Sequence, residues 1–162
     1  MRLGASSTAV AALLVCFAVL TGCSGKSERP TLAEATRQLV SDGDALVSMM
    51  ETDLTGLTKE RADKDRTTSC TPGEVQRYFV AKGNFADPAK QDPLSRIGLL
   101  KGKLETMGYR EAVDELDLLE DELGVTVALH EEAKLTFVLL GRLSETPNLV
   151  IIGKTECYPR TG

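Results

Sequence analysis

The chain contains a single histidine, His130, which Glu131 and Glu132 follow directly. A zinc site of the HExxH type needs a second histidine one helical turn from the first, and a Gly-x-Ser-x-Gly hydrolase needs that motif around its nucleophile. The sequence has neither feature. We therefore expect His130 to be a strand-end residue beside a turn, and we assign no catalytic residue, no metal site and no cofactor.

Acidic residues cluster between residues 114 and 122 and form a second candidate, a site for Ca²⁺. They are Asp114, Glu115, Asp117, Glu120, Asp121 and Glu122. This run lacks the Asp-x-Asp-x-Asp-Gly order of a calcium loop, so the pattern favours the solvated face of a helix. Carboxylates can act as acid and base where burial separates their pKa values. A hydrolase or transferase is therefore the alternative to a binding module without catalysis.

The N-terminal segment has the organisation of a secretory signal. Arg2 supplies a positive charge, and an apolar run follows from Thr8 to Leu20. At about 13 residues the run is too short to span a bilayer comfortably and fits the apolar region of a signal peptide. We expect residues 1–22 to be that signal peptide.

The end of this segment, Leu20-Thr21-Gly22-Cys23, resembles the lipobox of bacterial lipoprotein precursors. The resemblance implies transfer of a diacylglyceryl group to the Cys23 thiol and cleavage after Gly22. Residues 23–30 would then be the lipidated cysteine and a polar tether. A single domain at the extracytoplasmic face of the cell membrane would follow over residues 31–162.

Four cysteines occur, of which Cys16 belongs to the expected signal and Cys23 to the expected lipid anchor. Cys70 and Cys157 are left in a chain that is exported on this reading. Disulfides persist outside the cytoplasm, so we predict a Cys70–Cys157 disulfide. A redox pair usually has the Cys-x-x-Cys spacing, and a zinc site needs more ligands than two cysteines and one histidine provide.

The charge and the aromatic content limit the expected partners. The sequence has 24 Asp and Glu against 19 Lys and Arg, a net charge of −5, so nucleic acid is not an expected partner. With 3 Tyr, 4 Phe and no Trp, stacking surfaces for bases or sugars are also not expected. The expected partners are the membrane, through the lipid on Cys23, and an unknown envelope protein, lipid or wall component.

Two helices are marked by their start signals. Thr31 and Glu34 form a capping box, and apolar residues at helical spacing predict a first helix over about residues 32–52. Asp92 and Pro93 are typical of a helix N-cap and first residue, and they open a second helix.

The second helix should end at Gly108, which suits the residue after a helix C-terminus. Apolar spacing then predicts a third helix over residues 111–123, and a short strand beginning at Tyr109 is the alternative.

The rest of the chain divides into a polar segment and four strands. Residues 55–73 are charged and predict a loop or a frayed helical extension. Residues 74–83 predict one early strand. Residues 125–130, 135–143 and 149–157 predict a three-stranded antiparallel meander, because their connections are short.

These elements predict an α+β fold, in which an antiparallel sheet packs against two or three helices. The ending Thr155-Glu156-Cys157-Tyr158-Pro159, together with the lipobox, resembles small LppA-like cell-envelope lipoproteins of actinobacteria. That resemblance implies no known activity. The meander has apolar residues on both strand faces, so we expect the binding surface on its exposed side or at its junction with the second helix.

Overall fold

The computed structural model describes residues 29–62, 64–112 and 122–160. It has the expected α+β fold: two helices, a six-stranded antiparallel sheet and a small two-stranded sheet. The elements are α1 (Leu32–Ser48), β1 (Leu54–Arg61), β2 (Glu74–Val75), β3 (Tyr78–Phe85), α2 (Pro93–Thr106), β4 (Arg110–Glu111), β5 (Leu123–His130), β6 (Leu135–Arg142), β7 (Leu149–Thr155) and β8 (Tyr158–Pro159).

Helix α1 begins as its capping box predicts. The Glu34 carboxylate accepts a hydrogen bond from the Thr31 backbone N–H at 2.8 Å, and the Thr31 hydroxyl accepts one from the Glu34 N–H at 3.2 Å. The prediction that the helix continues to residue 52 is wrong, because α1 ends at Ser48. Met50 extended the apolar pattern past the true end of the helix. It is buried, but it lies in the turn that leads to β1.

Helix α2 has the predicted start and end. The Asp92 carboxylate accepts hydrogen bonds from the N–H groups of Leu94 and Ser95, at 3.1 and 3.2 Å, and Pro93 is the first helical residue. Gly108 follows the helix with a φ of +90°, a conformation that glycine adopts without steric cost. Neither described helix has the length and apolar character needed to cross a membrane.

The large sheet has the strand order β1-β3-β7-β6-β5-β4, and every neighbouring pair is antiparallel. Strands β5, β6 and β7 form the predicted C-terminal meander. The early strand β3 joins the sheet beside β7. One end of the meander is thereby extended by two strands from the N-terminal half of the chain.

Two strand predictions need correction. The segment 55–73 is not a loop or a helical extension at its start, because residues 54–61 form strand β1. Its charges are compatible with a strand at the sheet edge, where most of its side chains are exposed. The early strand predicted over 74–83 is two strands, β2 and β3, because Gln76 and Arg77 interrupt the pairing.

The region between α2 and β5 follows the alternative prediction as far as it is described. Arg110 and Glu111 form a short strand that pairs with β5, and Leu123 already belongs to β5. Residues 113–121 lie outside the described residues. With them lie most of the expected third helix and the acidic residues Asp114, Glu115, Asp117, Glu120 and Asp121.

The predicted Cys70–Cys157 disulfide is confirmed, with a Cα–Cα distance of 5.7 Å. Cys157 lies between β7 and β8, and β8 pairs with β2 in the small sheet. The strand predicted over 149–157 therefore ends two residues early, at Thr155, before the disulfide and the small sheet. The bond links the segment that leads to β2 with the segment that follows β7.

Both helices lie on one face of the large sheet, α1 over β3 and β7 and α2 over β5 and β6. Glycines allow this close packing. A Cβ at Gly153 would lie 2.6 Å from side-chain atoms of Leu39 and Phe137, and a Cβ at Gly141 would lie 2.8 Å from the carbonyl oxygen of Pro93. The helices therefore approach the sheet more closely than any larger residue at these positions would permit.

Candidate functional site

The face of the large sheet opposite the helices is the main candidate for function. Side chains alternate between the two faces of a strand, so residues opposite one another in register share a face. Gly153 and Phe137 are opposite each other and contact helix α1, so their sequence neighbours point the other way. We call that side the open face; its apolar residues are Val80, Val125, Val127, Leu129, Val138, Leu140, Val150 and Ile152.

Two aligned rows make up the centre of the open face. In the first row Val80, Ile152, Val138 and Val127 are successive partners across four strands. In the second row Lys82, Val150, Leu140 and Val125 are partners in the same way. The surface is thus almost uniformly aliphatic and β-branched, and its side chains are of similar size.

The open-face residues are not part of the main hydrophobic core. Val150 is only 7% exposed, yet it does not belong to the core cluster that the helices and the other sheet face form. Leu129 is 39% exposed, and Val127, Val138 and Leu140 are half-buried. Both described helices pack on the other side of the sheet, so neither accounts for this partial burial.

Two lysines lie on the open face without an ion pair among the described residues. Lys82 is opposite Val150, and Lys154, on β7, is opposite Tyr78 and Thr136. None of the described carboxylates lies within salt-bridge distance of either ammonium group. In an acidic protein, this face therefore carries two uncompensated positive charges beside its apolar rows.

The other charges around the open face are paired. Arg110 contacts Glu131, and Arg142 forms an ion pair with Glu145 at 3.3 Å. These pairs are exposed and contribute little to stability, but they cancel the local charge. Lys82 and Lys154 are therefore the charged residues of the open face that have no ion pair among the described residues.

One corner of the open face is covered by the chain that leads to the disulfide. The guanidinium group of Arg66 lies 5.3 Å from the centre of the Tyr78 ring and also forms an ion pair with Glu60 at 2.7 Å. Gln76, which is buried, donates a hydrogen bond to the Tyr78 hydroxyl at 2.8 Å. This corner is closed by polar contacts, so the exposed apolar surface begins at Val80.

His130 lies where the sequence placed it, at the end of β5 beside a turn. Its ring packs edge-on against Tyr109 with ring centres 5.0 Å apart, and its Nδ1 accepts a hydrogen bond from the Ala133 N–H at 3.2 Å. Glu131 and Glu132 are exposed in the turn that follows. No group of three metal-ligating side chains occurs in the described ranges.

A buried polar cluster next to His130 was missed by sequence reasoning. Asp42 is 4% exposed and accepts hydrogen bonds from the Tyr109 hydroxyl and the Gln38 amide, both at 2.7 Å. Burial, followed by the hydrogen bond and the negative charge of Asp42, raises the pKa of Tyr109 far above its ordinary value. The hydrogen bond between Tyr109 and Asp42 connects α1 to the segment that follows α2.

A sequence signal for this cluster existed. Asp42 is three residues after Leu39 and four before Leu46, so it occupies a position of the buried helical stripe. A carboxylate at such a position needs buried donors, and Tyr109 is one of the few hydroxyl donors with a large apolar body. Tyr109 and Gln38 supply the hydrogen-bond donors to Asp42.

A shallow depression lies beside the first described residues. Its volume is about 230 Å³, and Arg29, Glu131, Glu132 and Lys134 line it. Arg29 donates a hydrogen bond to the Cys157 carbonyl oxygen at 2.7 Å and lies 4.5 Å over the centre of the Tyr158 ring. These contacts hold the first described residue beside the end of β7.

The remaining candidates divide between described and undescribed residues. Glu122 is described: its carbonyl oxygen accepts a hydrogen bond from the Leu143 N–H at 3.0 Å and its carboxylate accepts one from the Ser144 hydroxyl. Cys23 and the expected signal peptide, residues 1–22, lie outside the described residues. No protein-family model, no curated protein and no solved structure matches this chain.

Proposed function

We propose that this chain is a lipoprotein anchored to the cell membrane through Cys23 and that its extracytoplasmic domain is a binding module of the cell envelope. In this proposal the open face of the sheet engages the partner. The observation that carries the proposal is the open face itself, a largely aliphatic surface that neither described helix covers.

The residue content of the open face favours recognition of another surface over chemistry on a small molecule. Small-molecule sites are concave and enclose most of their ligand, with a few converging polar groups. The open face instead presents aligned rows of side chains of similar size, flanked by Lys82 and Lys154. A contiguous apolar patch rimmed by polar groups is typical of an interaction site.

The position of Arg29 fits a short tether. Arg29 is six residues after Cys23, so the Cα of the lipidated residue can lie at most roughly 20 Å from the Cα of Arg29, whose side chain contacts Cys157. Two acyl chains on Cys23 would hold the domain stably at the membrane. The domain would then meet partners within a thin layer beside the bilayer, where tethering raises their effective concentration.

Mass spectrometry of the membrane-extracted protein tests the anchor. We expect an acylated Cys23 at the mature N-terminus, because Leu20-Thr21-Gly22-Cys23 carries the lipobox pattern. The Cys23→Ala variant should accumulate as an uncleaved precursor or appear unanchored. An unmodified Cys23, or Met1 retained on the mature protein, contradicts the anchor.

A pair of variants tests the binding surface. Val138→Glu places a charge at the centre of the open face, whereas Leu99→Glu places the same charge on α2, where Leu99 is 52% exposed. We expect Val138→Glu to remove crosslinks between the lipidated protein and its envelope partners, and Leu99→Glu to leave them in place. Loss of the same crosslinks in both variants, or in neither, contradicts the open face as the binding surface.

The hydrolase or transferase alternative is tested in parallel. The purified protein is assayed against esters, peptides and glycosides, together with His130→Ala and Glu122→Ala variants. Turnover that disappears with one of these substitutions would replace the binding module by an enzyme. The binding module predicts the same background rate for all three proteins.

A further inference from the structure

We propose that the open face binds an amphipathic helix of a neighbouring protein whose apolar stripe is flanked by carboxylates. This inference rests on the proposed function, because it names the chemistry of the partner that the open face takes. Its two supports are the size of the apolar surface and the charge of Lys82 and Lys154.

The apolar surface has the size of a helix-binding site. Four strands spaced about 4.8 Å apart and two apolar rows about 7 Å apart give a surface of roughly 19 by 14 Å, or about 270 Å² in projection. A helix is about 10 Å wide and covers 14 Å of length in roughly 9 residues. One such helix, lying along the strands, would cover the central apolar residues of β6 and β7, which are Val138, Leu140, Val150 and Ile152.

The charge of the open face argues against a second copy of this chain as the occupant. A symmetric dimer would place the same surface on both sides, so Lys82 and Lys154 would add positive charge to each half. A partner of opposite charge avoids this repulsion.

Lys82 and Lys154 specify where the partner should carry its carboxylates. Lys82 is opposite Val150, and Lys154 is four residues further along the same strand as Val150. Their Cα atoms are therefore roughly 14 Å apart along a direction close to the strands. On a helix lying along the strands, carboxylates about seven to eleven residues apart span that distance within the reach of two lysine side chains.

Apolar contacts supply the attraction in this complex and the lysines set its selectivity. An exposed ion pair adds little binding free energy, but a like charge at the same place is repelled. The difference in binding free energy between an acidic and a basic helix is therefore larger than the attraction or the repulsion alone. Val138 lies at the centre of the apolar surface and the lysines lie at its margin. Changes at the two places should therefore have different consequences.

The experiment uses the lipidated full-length protein in nanodiscs of zwitterionic phosphatidylcholine and two fluorescent helical peptides of 18 residues. Both peptides carry the same leucine stripe; one has glutamates at its margins and the other has lysines. We expect the acidic peptide to bind about tenfold more tightly by fluorescence anisotropy at low salt. The doubly substituted Lys82→Glu, Lys154→Glu protein should reverse that preference.

The charge-reversal variant keeps the test independent of folding, because reversing the preference requires a folded protein with an intact apolar surface. Leu99→Glu is the matched control and should bind the acidic peptide as the unchanged protein does. Val138→Glu should bind neither peptide. Equal binding of the two peptides, or failure of the charge reversal to change the preference, overturns the inference.

Other occupants give recognisable results that also overturn it. A dimer in sedimentation that Val138→Glu dissociates identifies a second copy of this chain. Protection of a fluorophore at residue 138 by nanodiscs of anionic phosphatidylglycerol, without peptide binding, identifies the membrane surface. If Val138→Glu still abolishes the envelope crosslinks, the binding module stands and only the partner chemistry is wrong.

Discussion

The two faces of the large sheet use the same strands and the same kinds of residue, but their side chains differ in size. The helix-covered face alternates large and small residues, as in the row of Phe79, Gly153, Phe137 and Ala128. The open face has Val80, Ile152, Val138 and Val127 in the row beside it. Alternating sizes let helices interlock with a sheet, whereas a uniform row leaves a flat surface.

This difference teaches that apolar content alone does not show which face becomes the core. Both faces are aliphatic, yet Phe137 is fully buried while its neighbour Val138 is half-buried. The glycines at 141 and 153 determine which face packs against the helices, because they leave room for the helices on one side only. The stability of the domain should therefore depend strongly on one face and weakly on the other.

The largest effect is expected when two neighbouring residues that lie on opposite faces are substituted in separate variants. Phe137→Ala should lower the free energy of unfolding by about 3–5 kcal/mol, because it leaves a cavity beneath α1. Val138→Thr should change it by less than about 0.5 kcal/mol, since the side chain is partly exposed and keeps its shape. Both are measured by chemical denaturation with the disulfide intact. Similar losses for the two variants contradict the division between the faces.

A smaller effect is expected where a methyl group is added beneath a helix. Gly153→Ala should destabilise the domain by about 1–3 kcal/mol, since its Cβ would overlap Leu39 and Phe137. Gly98→Ala is the matched control. Gly98 lies on the exposed side of α2, where no atom is within 4 Å of an added Cβ, so this substitution should stabilise the domain by about 0.5–1 kcal/mol. The two midpoints of thermal unfolding should move in opposite directions. A rise for Gly153→Ala contradicts close packing at that position.

The smallest effect is expected at a position that touches neither sheet face. Thr31→Ala removes the N-cap hydroxyl of α1 and should cost on the order of 1 kcal/mol. The backbone N–H and hydroxyl of Thr31 hold the pKa of Glu34 below its ordinary value of 4.5, so this stabilisation is present above that pH and lost as the pH falls through the lower pKa of the folded protein.

The comparison of Thr31→Ala with the unchanged protein should therefore give a smaller difference in acid than at neutral pH. Denaturation curves at pH 7 and below pH 4.5 measure it. A difference that grows in acid contradicts the sign expected for Glu34. The bond from the Glu34 N–H to the Thr31 hydroxyl does not involve the carboxylate and should persist at both pH values.

Much of the fold could be predicted from local signals. The capping box at Thr31 and the N-cap at Asp92 fixed both helix starts, and the short connections after β5 and β6 fixed the meander. Strand β1 could not be predicted, because only Leu54 and Leu57 among its residues pack against the core. An edge strand forms through hydrogen bonds to β3, which leave no pattern in its own sequence.

The sequence indicated that the candidate site lies on the C-terminal meander, but it did not indicate which residues of the meander face the helices and which face away from them. The apolar residues at both parities of β6 and β7 indicated surplus apolar surface, which is why the exposed side of the meander was expected to bind. Which parity faces the helices depends on contacts between distant residues, such as Leu39 with Gly153. The glycines were a usable clue, because a glycine inside a strand often marks the close approach of another element.

The disulfide closes the polypeptide into a covalent ring whose ends are 87 residues apart in sequence. All strands that carry the open face, from β3 to β7, lie inside this ring, whereas α1 and β1 lie outside it. A mechanical pull from the residue 29 end can extend the chain only as far as Cys70, about 140 Å for the intervening residues. When the chain is pulled between the residue 29 end and the residues after Cys157, the load bypasses α2 and the strands of the open face, because the Cys70–Cys157 bond carries it directly. Tension of that kind can strip away α1 and β1 without extending the chain between Cys70 and Cys157.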